Sequence, residues 1–158
     1  MRKLTSLALI AMSLAGCVSG PAPAVYGNFV QGTVAADDKM MADDVAKKLA
    51  ALYPPARTRF KLRQATPDAF GASLVASLRT KGYAMAEFKP APPAGAPDGT
   101  ATAAPGQSGD VALAYVVDQP LDAGLYRVTV LVNSQSLSRL YQTKDGKIAP
   151  AGYWVRKE

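Results

Sequence analysis

Apolar and polar residues change period several times along the chain, and each change marks an element. After Asp37-Asp38, the residues Met41, Val45, Leu49 and Leu52 recur at helical spacing, with Asp44, Lys47 and Lys48 on other faces. The spacing predicts a helix, opened by carboxylates at the positive end of its dipole and stopped by Pro54-Pro55. From Arg57 to Gln64 the period drops to two. Phe60 and Leu62 point one way and Arg57, Arg59, Lys61 and Arg63 the other, which predicts a half-buried strand with a basic outer stripe. Thr66-Pro67-Asp68 then predicts a second helix start, with Thr66 as cap, Pro67 in the first helical position and Asp68 suited to the dipole. Phe70, Leu74, Val75 and Leu78 form its apolar stripe, Arg79 and Lys81 fall in its last turn, and Gly82 is placed to close it in the left-handed conformation.

The rest of the pattern has period two. Tyr26 to Val34 reads as a short edge strand or extended arm weakened by Gly27 and Gly32, and Tyr83 to Phe88 as a strand. Asp110 to Val117 is a nearly unbroken apolar run, as a central strand would be. Between Gly124 and Val132, Tyr126, Val128, Val130 and Val132 alternate with Arg127 and Thr129. Leu137 to Thr143 and Lys147 to Val155 flank Lys144-Asp145-Gly146, and an Asp-Gly pair between two such runs predicts a hairpin. Pro150 places the last strand at an edge or a bulge. The expected fold is α+β: two helices packed on a mostly antiparallel sheet. Its core is expected to include Phe60, Phe70, Leu74, Leu78, Val128 and Val130.

Two stretches belong to no such element. Lys89 to Gly109 holds five prolines among Ala, Gly, Ser and Thr and lacks large apolar residues. It cannot bury enough surface to offset the entropy of ordering, so residues 89–109 are expected to be a flexible insert, or else a segment that orders on a partner. At the start, Arg2-Lys3 precedes the apolar run Leu4 to Ser13 and the small residues before Cys17. That is the pattern of a secretory signal, and the run falls short of the roughly 20 apolar residues a membrane span requires. Leu14-Ala15-Gly16-Cys17 resembles the lipobox of bacterial lipoproteins, in which the Cys thiol is lipidated and the chain is cut before it; the alternative is an ordinary cleaved signal with a chance Cys. The resemblance implies that residues 1–16 are a signal peptide, that Cys17 carries the lipid and begins the mature chain, and that residues 17–25 form a short Pro-rich tether to one domain over 26–158. Val18, not Asp, follows the cysteine, which by the sorting rule of enteric lipoproteins implies the outer membrane.

Charge and chemistry narrow the picture. The chain carries 18 basic and 12 acidic side chains, and loss of Arg2 and Lys3 leaves 16 against 12. So modest an excess suits acidic partners or anionic headgroups, but without a concentrated patch no direct nucleic-acid binding is expected. The stripe Arg57, Arg59, Lys61 and Arg63 reads either as a solvated face that discourages edge-to-edge pairing or as a contact with headgroups or an acidic partner. There is no histidine and a single cysteine, which removes Ser-His and Cys-His nucleophile pairs, His metal sites and any disulfide within the chain. The acidic pairs Asp37-Asp38 and Asp43-Asp44 fall on one helix, where dipole and solubility account for them. Two carboxylates alone can hydrolyse a glycoside, and their separation in space is not written in a sequence; a non-enzyme without cofactor or metal is nonetheless the expectation.

The order of features over the whole chain resembles the TrbH family of conjugal-transfer lipoproteins. The likeness runs from Leu-Ala-Gly-Cys through Asp68-Ala69-Phe70-Gly71-Ala72-Ser73-Leu74 to Leu78-Arg79-Thr80-Lys81-Gly82-Tyr83. It continues over the Pro/Ala-rich gap to Gly124-Leu125-Tyr126-Arg127-Val128. The resemblance implies a component of a type IV secretion channel for DNA transfer, anchoring or bracing its outer-membrane end beside TrbG-type and TrbI-type core subunits. A surface-exclusion protein or envelope-assembly accessory is the competing class.

Overall fold

A computed structural model describes residues 26–90, 110–120 and 124–157 of the chain. The signal and lipobox residues 1–16, the tether from Cys17 to Val25, and residues 91–109 of the Pro-rich insert lie outside them. Two helices, α1 (Ala35–Leu52) and α2 (Ala69–Thr80), cover one face of a sheet of eight strands. The strands are β1 (Gly27–Asn28), β2 (Arg59–Leu62), β3 (Ala84–Ala86), β4 (Asp110–Asp118), β5 (Leu125–Val132), β6 (Gln135–Lys144), β7 (Lys147–Pro150) and β8 (Val155–Lys157). Their order is β3-β2-β4-β5-β6-β7, with β1 also on β4 and β8 also on β6. The fold is α+β, as the pattern predicts.

The sheet has two characters. From β4 onward every pairing is antiparallel, and Asp145 and Gly146, at φ 53° and 73°, make the tight turn between β6 and β7. Both central residues with positive φ suit the right-handed twist of a hairpin. A second turn, at Asn133 with φ 54°, joins β5 to β6. On the other side of β4, the pairings β1–β4, β2–β4 and β2–β3 are parallel, because α2 carries the chain back between β2 and β3. β4 is the central strand that its apolar run predicts.

The core lies between helices and sheet. Phe60, Phe70, Leu74, Leu78, Val128 and Val130, expected inside, are all fully buried, together with Met41, Val45, Leu49, Tyr115 and Tyr141. Leu52, the last residue of the stripe on α1, is 38% exposed because the helix ends there.

Several expectations change in detail. Asp68, not Thr66, caps α2: its carboxylate accepts from the Gly71 N–H at 2.9 Å, and the helix proper starts at Ala69. The cap thus falls after Pro67, because Asp68 itself presents an acceptor to the open first turn. Gly82 does close the helix, at φ 87°. Arg57 lies in a 3-10 turn over Pro55–Arg57, so it drops out of the alternation and the basic stripe begins at Arg59. β2 is flanked by β3 and β4 and is therefore no edge. The run from Lys147 to Val155 is not one strand; it breaks after Pro150, which lacks an N–H for the ladder, and returns to β6 as β8.

Between β2 and β1 the partner edge of β4 has a gap, and a side chain fills it. Arg63 N–H continues the ladder onto Leu113 O. Gln64 then uses its amide as a backbone would: Nε2 donates to Tyr115 O and Oε1 accepts from Tyr115 N, both at 3.2 Å. β1 resumes the pairing at Val116 and Val117.

Candidate functional site

The carboxylates of α1 are tied into the fold rather than left to solvent. Asp44 accepts from the Tyr141 hydroxyl at 2.7 Å and from Arg139 at 2.8 Å, locking the helix to β6. Arg139 in turn lies 5.9 Å from the centre of the Trp154 ring. Asp43 accepts from Ser77 of α2 and pairs with Lys39, and these bonds hold its pKa below the ordinary carboxylate value. Asp37 accepts from the Ile148 N–H of β7. At the other end of the sheet Asp68, besides its cap, accepts from the Tyr115 hydroxyl at 2.5 Å. Burial, reinforced by Asp68 and Asp44 respectively, pushes the hydroxyls of Tyr115 and Tyr141 far above the ordinary phenol value.

Asp38 is the exception. It is 2% exposed, takes one hydrogen bond from Thr33 at 2.8 Å, and its Oδ1 has no hydrogen-bond partner. Burial raises its pKa, as expected of a carboxylate removed from water with half its acceptors unused. Dipole and solubility account for only part of what Asp37-Asp38 and Asp43-Asp44 do: Thr33 and Lys39 are partners near in sequence, but those on α2, β6 and β7 are signalled by no local pattern.

Among the described residues no group of three or more His, Cys, Asp or Glu side chains is placed to hold a metal ion, and no helix is long and apolar enough to cross a membrane. Leu14, Ala15 and Gly16, expected to form a lipobox, and Cys17, its expected lipid acceptor, lie outside those residues.

The basic stripe is divided by the fold. Arg59 lies 3.7 Å from Asp110 of β4, whose Oδ1 is buried and reached by this ion pair without a hydrogen bond. Arg57 is exposed in the 3-10 turn. Lys61 and Arg63 stand on the sheet face away from the helices, the Arg63 guanidinium 5.1 Å from the centre of the Tyr26 ring. With Glu87, Phe88, Lys89 and Ala112 they line a groove of about 550 Å³. Lys89 and the 39% exposed Phe88 were not singled out by the sequence, because they follow a strand at the start of a segment without periodicity. Glu87 is paired with Arg79 of α2 at 2.5 Å. A second, more apolar hollow on the same face lies among Arg127, Leu140, Tyr153 and Val155, with Tyr153 93% exposed.

The described residues thus form a small α+β domain in which Asp37, Asp44 and Asp68 fasten helices to sheet, and whose open sheet face carries a cationic groove. The chain belongs to the TrbH family: residues 23–158 match the family described as conjugal transfer protein TrbH. No curated protein and no solved structure gives a match.

Proposed function

We propose that this conjugal-transfer protein is a lipoprotein of the outer membrane that anchors or braces the core complex of a type IV secretion apparatus, without catalytic activity. Membership of the TrbH family is the observation that carries the reading. Leu14-Ala15-Gly16-Cys17 supports the anchor, since it places the only thiol of the chain after small residues and a short apolar run. Each buried methylene of an acyl chain contributes about 0.8 kcal/mol, and more than one chain is needed for stable anchoring. Residues 17–25 tether the domain close to the membrane on the periplasmic side. TrbG-type and TrbI-type core subunits are the partners, and Arg57, Arg59, Lys61 and Arg63 lie on the surface available to them or to headgroups.

Cys17→Ser tests the anchor and its purpose together. The variant is expected to take up no labelled fatty acid, to leave the outer-membrane fraction and to lower plasmid transfer from donor cells while recipients behave normally. A variant still labelled and still in the outer membrane overturns the lipoprotein reading. One that leaves the membrane yet transfers DNA at full rate overturns the role of the anchor in the channel.

A further inference from the structure

The geometry points to the groove between β2 and the residues after β3 as the docking site for an acidic segment of a protein partner, one that sets an apolar side chain on Phe88. This deepens the reading of the chain as a subunit of an assembly and rests on it. Three cations, Lys61, Arg63 and Lys89, converge on the groove, and its one carboxylate, Glu87, is already neutralised by Arg79. Neither Lys61 nor Lys89 has an ion-pair partner among the described residues. Phe88 adds an exposed aromatic ring beside them, and Ala112, with its small side chain, leaves room on the strand opposite. A groove of positive potential with one apolar anchor fits alternating acidic and apolar side chains. Beside it, β3 is paired among the described residues on one edge only, by β2, which suits its outer edge to strand addition by an extended segment.

Other occupants fit less well. A membrane meets a flat or convex cationic surface, whereas these cations line a hollow. Residues 91–109 of the same chain carry Asp98 as their only charge and no large apolar side chain. A second copy would bring its own positive excess, 16 basic against 12 acidic side chains once Arg2 and Lys3 are lost.

The test is fluorescence anisotropy of the detergent-solubilised full chain with a labelled peptide alternating glutamate and leucine. Binding is expected to weaken at least about tenfold in the double variant Lys61→Glu/Arg63→Glu and severalfold in Phe88→Ser, a spread typical of a charge-steered contact with one anchor. The double variant Lys47→Glu/Lys48→Glu makes the same change of charge on α1 and is expected to bind normally. The variants change exposed side chains except at the half-buried Lys48, and unaltered thermal midpoints confirm folding. Four results overturn the proposal: no binding by the parent chain, equal loss in the α1 variant, preferential binding of phosphatidylglycerol vesicles that the groove variant abolishes, or a tenfold gain when residues 91–109 are replaced by a Gly/Ser linker, which would make that segment the occupant. Each outcome leaves the fractionation and mating results for Cys17→Ser unaffected, so failure of the groove is distinct from failure of the anchor.

Discussion

Gln64 carries more of the sheet than its position suggests. Its amide supplies both a donor and an acceptor to Tyr115 on the central strand, where neither β1 nor β2 reaches. Gln64→Ala would leave a backbone N–H and a C=O of a fully buried residue without partners, and each orphaned group costs about 1–3 kcal/mol. The variant is expected to shift the denaturant midpoint downward and to speed hydrogen exchange at the Tyr115 amide, and an unchanged midpoint would mean that water replaces the side chain. Nothing in the sequence announces this role. Gln64 ends the alternating run in register with Phe60 and Leu62, which gives the face it lies on but not the strand whose ladder its amide completes.

At the scale of elements, α2 shows a local preference overruled by packing. A glycine inside a helix ordinarily costs about 0.5–1 kcal/mol relative to alanine, so Gly71→Ala would stabilise an exposed helix. Here a Cβ on Gly71 would fall on the Tyr115 hydroxyl and close to the Thr66 side chain. The alanine would push Tyr115 off Asp68, and overpacking of this kind costs about 1–3 kcal/mol. Gly71→Ala is therefore expected to lower the thermal midpoint, measured by circular dichroism; a raised midpoint would show that the ring yields freely. The elements themselves were legible wherever the period was strong: the stripe of α2, the alternation of β5 and the Asp-Gly turn all stand as expected. The cap at Asp68, the break after Pro150 and the parallel placement of β2 were not. The cap and the break turn on local choices, Thr66 or Asp68 for the one and the missing N–H of Pro150 for the other, whereas the placement of β2 is decided by strands distant in sequence. The same holds for the candidate site: the alternation exposed Lys61 and Arg63, but only the sheet order brings Phe88 and Lys89 beside them.

The whole molecule inherits a pH limit from its buried tyrosines, of which Tyr115 and Tyr141 carry the largest part. Unfolded, Tyr115 and Tyr141 ionise near pH 10.0; folded, burial and the neighbouring carboxylates keep them protonated to much higher pH. The folded state then holds protons that the unfolded state has released, so their contribution is complete below pH 10 and declines above it. With both tyrosines the unfolding free energy is expected to fall by up to about 2.7 kcal/mol per pH unit above pH 10. Urea titrations at successive pH values check this, and Tyr141→Phe is expected to lower the slope by about 1.4 kcal/mol per pH unit. β4 has a further consequence for how the chain comes into being. It is the strand on which β1, β2 and β5 all register, yet it begins at Asp110, late in synthesis. As the chain emerges N-terminus first, α1, β2, α2 and β3 are complete before the strand that orders them is available. Contacts between distant segments form slowly because the intervening chain must first be closed into a loop. The β4–β5–β6 ladders, by contrast, are local. The first half therefore waits as a helical pair with one uncovered apolar side, and its aggregation risk lasts until the meander behind it has been made.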